Sequence, residues 1–278
     1  MTHDALLCGP PAHATQCFVC AQPAESREHV VPKWLQHRFG LWNEKLRLPN
    51  GTMIPYRQLT IPACKKCNSE VFGALEQRVQ QGVASDSDIW KWANKIHYGL
   101  GFKDRFLDWD RRHPGYKIGE IVKSLDPLER DRHFLHSVAG GFKTDPDPFG
   151  SVFRFDFPEA QPFRFGHFPH SDSLCISIGT TGFIVFVTDG QALRRDRATM
   201  TVFKSLPSTP NVNDMLFFYA QNLEHLARHQ LGFDIIMTPG LIARLGPTVV
   251  HGVEQPNKDR FRTFCKELGL QWIDTEAG

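Results

Sequence analysis

Two short cysteine pairs constrain this chain more than any other feature: CFVC at 17–20 and CKKC at 64–67. Forty-three residues lie between them, and together they supply four thiolates. The N-terminal MTHDALLCGPPAHATQ has no basic region leading into an apolar stretch. A cytoplasmic protein is therefore expected, where paired CxxC points to metal before disulfide. Four thiolates suit a tetrahedral Zn²⁺ with every position filled, so the site expected at Cys17, Cys20, Cys64 and Cys67 is structural. Neither pair sits in the strand–helix setting of a thioredoxin-like dithiol. A small region with few apolar residues needs such a staple to hold shape. The other three cysteines are scattered, and Cys175 and Cys265, inside apolar patterns, read as buried thiols.

Between the pairs lies REHVVPKWL, residues 27–35. Glu28 and His29 follow Cys20 by eight and nine residues, and Asn68 follows Cys67 directly. A metal joining the two knuckles brings Asn68 near the Glu28–His29 pair. An acidic oxygen and an amide oxygen are hard ligands suited to Mg²⁺ or Mn²⁺. A neutral histidine beside such an ion can take a proton from water, and metal plus base is a kit for hydrolysing a phosphodiester. Adjacent strand residues point to opposite faces, so Glu28 and His29 share one site only where the strand bends or ends. Pro32 is consistent with a short or edge strand.

The combination CxxC, (D/E)H-x-x-P, CxxC-N resembles the zinc-stapled branch of the HNH endonucleases, the ββα-metal nucleases. The matching residues are Cys17, Cys20, Glu28 to Pro32, Cys64, Cys67 and Asn68, within about residues 15–82. EHVVPKWL and CKKCNSEVFGALE also look like a bacterial subgroup with a long C-terminal region. The resemblance implies His29 as general base, Glu28 and Asn68 as ligands of the catalytic divalent ion, and the helix after Asn68 as the α of ββα. Such nucleases are associated with phage defence or mobile elements. Two positions depart from the pattern. Where the family places a histidine-orienting Asn this chain has Leu59, with Gln58 or Asn50 as substitutes. Glu70 and Val71 stand where many members carry a lysine.

Around these motifs the expected fold is α+β. Val71, Phe72, Leu75 and Val79 form a helical stripe closed by Gly82, with Asn68 at the N-cap position. A second helix carries Ile89, Ala93, Ile96 and Leu100 on one face, behind a capping box of Ser85 and Asp88. The boundary is placed at residue 83, giving a nuclease module at 1–82 and an α+β domain at 83–278. The stretch 104–148 reads as loops with one or two short helices. From 149 the Phe-rich segments SVFRFDF and 163–168, with LCISI and FIVFVT joined by a GTTG hairpin turn, imply an antiparallel sheet. A helix at about 213–230, the strand FDIIM and a helix from Asn257 to Leu268 follow.

Net charge is +2, which excludes a polybasic chain, but residues 1–82 hold nine Lys/Arg against six Asp/Glu. That excess suits an anionic partner but does not separate DNA from RNA; the resemblance favours DNA, and no membrane is expected, since no apolar run reaches bilayer length. Lys65 and Lys66, between zinc cysteines, are candidate phosphate contacts, and the run Arg194 to Arg197 is a basic loop whose plain reading is solvated. Trp34 and Leu35 read as core, Glu76 as a salt-bridging or solvated face residue, and His133 and His136 as histidines without a ligand set. The first function expected is a divalent-metal-dependent DNA endonuclease whose C-terminal region serves substrate selection, homodimerisation or sensing. The alternatives are a non-catalytic zinc-stapled nucleic-acid-binding protein, or an HNH nuclease acting on RNA.

Overall fold

A computed structural model describes residues 15–121, 126–138, 142–231, 233–238, 240–246, 250–252 and 255–270, so Cys8 lies outside the described residues. The chain divides into two compact units, 1–144 with 237–242, and 145–236 with 243–278. The fold is α+β with small antiparallel strand pairs in each unit. Among the described residues no helix is long and apolar enough to cross a membrane.

In the first unit Ser26–His29 (β1) pairs antiparallel with Thr60–Ala63 (β2), Glu28 opposite Ile61 and His29 opposite Thr60. Pro32 has no N–H to continue the strand and instead precedes the helical turn Lys33–Arg38. Leu35 in that turn is fully buried and Trp34 half-buried. After β2 the chain turns helical at once. Lys66–Phe72 is a wide π-type turn that continues as Gly73–Gln80 (α1). The Cys64 sulfur accepts the Cys67 N–H at 3.4 Å, as a capping oxygen would. The expected N-cap at Asn68 is thus corrected: the helix begins before it, and the Asn68 side chain bonds to β1.

Asp86–Asp104 (α2) starts at the expected capping box, with the Ser85 hydroxyl accepting from Asp88 N–H and the Asp88 carboxylate accepting from Ser85 N–H. Its burial exceeds the one-sided stripe read from sequence. Trp90, Trp92, Lys95 and Tyr98 are all buried along with Ile89, Ala93 and Ile96. One side lies on the strand pair, where a Cβ on Gly99 would stand 3.1 Å from Val30 and 3.2 Å from Ile61. Asp126–Val138 (α3) covers another side, with Phe134 edge-on to Trp90 at 5.4 Å. Burying a tryptophan removes about 200 Å² from water, worth about 5 kcal/mol at about 25 cal/mol per Å². Apolar burial of that size ties α2 to the Cys-rich segment. The boundary expected at residue 83 is corrected accordingly, since the first unit runs to 144 and includes α2 and α3. The stretch 104–148 holds two helices, Ile118–Ile121 and the 13-residue α3, in keeping with the one or two expected there.

The second unit is built on Ser151–Phe168 (β3) and Ser173–Phe186 (β4), paired antiparallel and joined through Pro169–Ser171. The GTTG hairpin expected at 179–182 is corrected, because those residues lie inside one strand. Gly179 has φ +64° and stands opposite Gln161, where the register shifts, so it absorbs an irregularity in the ladder. Gly182 is small for packing: a Cβ there would run into Met215 and lie 2.7 Å from the Phe157 ring. Phe153, Phe155 and Phe157 bury against Met215, Phe218 and Tyr219 of Val212–Ala227 (α4), so these rings are core. Lys258–Glu267 (α5), N-capped by Asn257, packs on α4 through Phe261 against Phe217.

Replacing Gly182 by alanine is expected to destabilise the second unit by about 1–3 kcal/mol, the usual cost of overpacking. Urea unfolding of the purified variant measures it; unchanged stability would mean that 179–182 is an open turn.

Candidate functional site

The knuckle 17–20 is held against β2 by the Phe18 N–H donating to Pro62 O at 2.9 Å and turns back through Ala21 N–H to Cys17 O at 3.0 Å. The second knuckle leads into α1. This places the Sγ atoms of Cys17, Cys20, Cys64 and Cys67 all within 4.8 Å of one another. Cys20 and Cys64 are 3.7 Å apart. Four sulfurs at about 2.3 Å from a tetrahedral zinc ion are about 3.8 Å from each other, so the cluster has the right dimensions for a metal ion such as zinc. Hydrogen bonds from Cys20 and Cys67 push the Cys17 thiol down in pKa, while the same contact with Cys17 pushes Cys20 up.

Helix α3 backs the first knuckle, which the sequence did not suggest. Arg132, buried, donates from Nη1 to Val19 O at 3.4 Å. His136 also hydrogen-bonds the Val19 backbone, and burial pushes its pKa down to about 4, so it is neutral at neutral pH. His133 and His136 are 6.2 Å apart between ring centroids, and His136 serves the knuckle.

Beside this cluster, β1 turns Glu28 and His29 to different surroundings, as the parity of a strand requires. Glu28 is buried, and its carboxylate meets the Lys95 ammonium. Lys95 also contacts Glu76 at 2.5 Å and donates to His29 O at 3.1 Å. Burial alone would push the Lys95 pKa down, but Glu28 and Glu76 offset it and the net shift is upward, so Lys95 is charged. Burial pushes the Glu28 carboxyl up, partly offset by Lys95. Removing one partner of such a buried pair costs about 3–5 kcal/mol. Glu76 is therefore a salt-bridging residue, with its side chain 18 % exposed.

His29 is half-buried with its ring centroid 5.8 Å from that of Trp42, which stacks on His37 at 4.6 Å. Burial lowers its pKa, with Lys33, Lys95 and His37 adding to the shift and Glu76 opposing it. The ring is neutral at neutral pH and able to accept a proton. Leu59, at the place where the family has its orienting Asn, is buried and its carbonyl accepts the Val30 N–H at 3.0 Å. Gln58 is exposed, and Asn50 is occupied with Asp108 O at 3.0 Å and Thr52 N–H at 3.1 Å. No hydrogen bond orients the His29 ring among the described residues.

The Asn68 amide donates to Ser26 Oγ at 2.9 Å and to Arg27 O at 3.4 Å. Asn68 is bonded through its amide nitrogen to the start of β1, and the Glu28 carboxylate is engaged by Lys95, so Glu28 as held here does not fit a divalent ion. Lys65 and Lys66 are exposed on the second knuckle. Arg194 to Arg197 form not a loop but two helical turns, Ala192–Arg195 and the start of Arg197–Lys204. The second unit has a cavity of about 320 Å³ lined by Thr199, Asn222, His225, Arg228, Asn257 and Phe261. Its polar groups are largely bonded among themselves, Glu224 holding both Arg228 at 3.0 Å and Asn257 N–H at 3.0 Å.

No family model, curated protein or solved structure matches the chain. The site must be judged on its own chemistry.

The purified protein is expected to carry one equivalent of zinc, measured by elemental analysis. Cys64→Ser should lower that content and the stability together. Retained zinc in that variant would show that the four sulfurs are not the ligand set. Acid should release the metal, because the ligands bind it as thiolates.

Proposed function

We propose that the Cys-rich first unit is a zinc-stapled nuclease module of the HNH type, hydrolysing phosphodiester bonds in DNA with His29 as general base. The observation that carries this reading is His29 itself. It ends β1, the strand whose start pairs beside Cys64, and it is half-buried, with its pKa lowered by burial and by Lys33 and Lys95. A neutral imidazole there takes a proton from water, whose oxygen attacks phosphorus while the bridging P–O bond to the leaving strand end breaks. The strand pair followed by a helix, with sulfur ligands on both sides, supports the ββα comparison. Zinc, when bound, would tie the 17–20 knuckle to the start of the helix and take no part in the reaction. Exposed Lys65 and Lys66 are suited to the phosphate backbone. A role in phage defence or a mobile element is part of the same proposal by association only.

The family's Mg²⁺ or Mn²⁺ does not fit Glu28 as it is engaged, and no step is assigned to it. That same observation favours a second reading: a zinc-stapled nucleic-acid-binding module without turnover. An RNA substrate has no separate structural support.

A plasmid-nicking assay, with and without Mg²⁺ or Mn²⁺, compares the intact protein with His29→Ala. Nicking by the intact protein and a loss of about 10²–10⁴-fold in the variant, at unchanged zinc content and circular dichroism, is the expected result for a lost general base. Absence of nicking on DNA and RNA, with salt-dependent binding retained, would establish the binding module instead. Equal cutting by both proteins would remove His29 from the mechanism.

A further inference from the structure

The geometry points to Lys95, on a helix beyond the Cys-rich segment, as the residue that positions His29 and Glu28. The inference rests on the reading of His29 as the base and deepens it.

An ammonium has three N–H donors and no acceptor. Here the three acceptors are Glu28 Oε1, Glu76 Oε1 at 2.5 Å and His29 O at 3.1 Å. The Lys95 side chain is 0 % exposed, and its Nζ lies 5.9 Å from the centre of the Phe72 ring. It therefore has no donor left for a phosphate and no path to one. What it does instead is join three elements at one atom. Glu28 and the His29 carbonyl belong to β1, Glu76 to α1 and Lys95 to α2.

The contact to the His29 carbonyl matters most. It fixes the backbone of the residue at the end of β1, whose ring has no hydrogen-bonding partner of its own among the described residues. The ring's other restraint is packing against Trp42. In a chain that places Leu59 where the family has a histidine-orienting Asn, the orientation comes through the main chain, from a lysine. Lys95 also holds the Glu28 carboxylate inward, which accounts for the misfit of a divalent ion there. Gly99, one turn along the same helix, lets α2 approach Val30 closely enough for this contact.

The test is Lys95→Met, full chain, zinc-loaded, read in two ways. Displacing a catalytic group by about 1 Å can cost about 10²-fold, so kcat for nicking is expected to fall by about 10–100-fold with KM for DNA unchanged. The nuclear Overhauser contact between the His29 and Trp42 rings is expected to weaken or vanish. A folded Lys95→Met protein with wild-type kcat and an intact ring contact would overturn the proposal. If the wild-type protein does not nick DNA, the ring contact alone decides, so failure of the nuclease reading is not mistaken for failure of this one. If Lys95→Met does not fold, Glu76→Gln weakens the same anchor at a partly exposed residue. It should perturb the ring contact in the same direction, and an unchanged contact there would equally overturn the proposal.

Discussion

One buried ammonium holds the first unit together. Lys95 is the place where β1, α1 and α2 meet, and without it β1 would bury the uncompensated Glu28 carboxylate and leave the His29 carbonyl without this donor. Two carboxylates and one cation in a dry setting are a poor source of net stability, since desolvation cancels much of the attraction. Their value lies in direction: the cation is satisfied in only one arrangement of the three elements. The cysteine cluster ties the 17–20 knuckle to the turn that leads into α1, at the other end of the strand pair from His29. His29 lies on the strand that both anchors hold.

The packing around this junction follows from it. A charged side chain is tolerated in the interior only under cover, and the Phe72 ring from the π-type turn, 5.9 Å from the ammonium, helps supply it. Helix α3 adds Phe134 against Trp90, and Arg132 and His136 against the knuckle. The first unit is consequently larger than the cysteine-rich segment it contains. The second unit is organised independently, around phenylalanines of β3 and β4 and the face of α4.

The cysteine cluster was legible because CxxC is a local signal whose spacing determines its geometry. The capping box at Ser85 was legible for the same reason. Lys95 was not, because a lysine in a helical stretch reads as solvated until the tertiary partners of both faces are known. The boundary at residue 83 failed through the same blindness: α2 looks amphipathic in isolation, and only its contacts show that it is buried nearly all round. The GTTG reading failed because glycine has more than one use. Gly179 serves a positive φ and Gly182 a close approach, and neither makes a turn. Asn68 was placed correctly beside β1, but its amide faces Ser26 and Arg27, at the opposite end of the strand from His29.

The central claim is that the metal staple and the Lys95 junction are one cooperative assembly that holds His29. Hydrogen exchange followed by mass spectrometry, with and without removal of the metal, tests it most directly. The account predicts that protection falls together in β1, β2, α1 and α2, while β3, β4 and α4 keep theirs. Loss confined to the two knuckles, with α2 and β1 still protected, would show that the staple and the junction are independent and would contradict it.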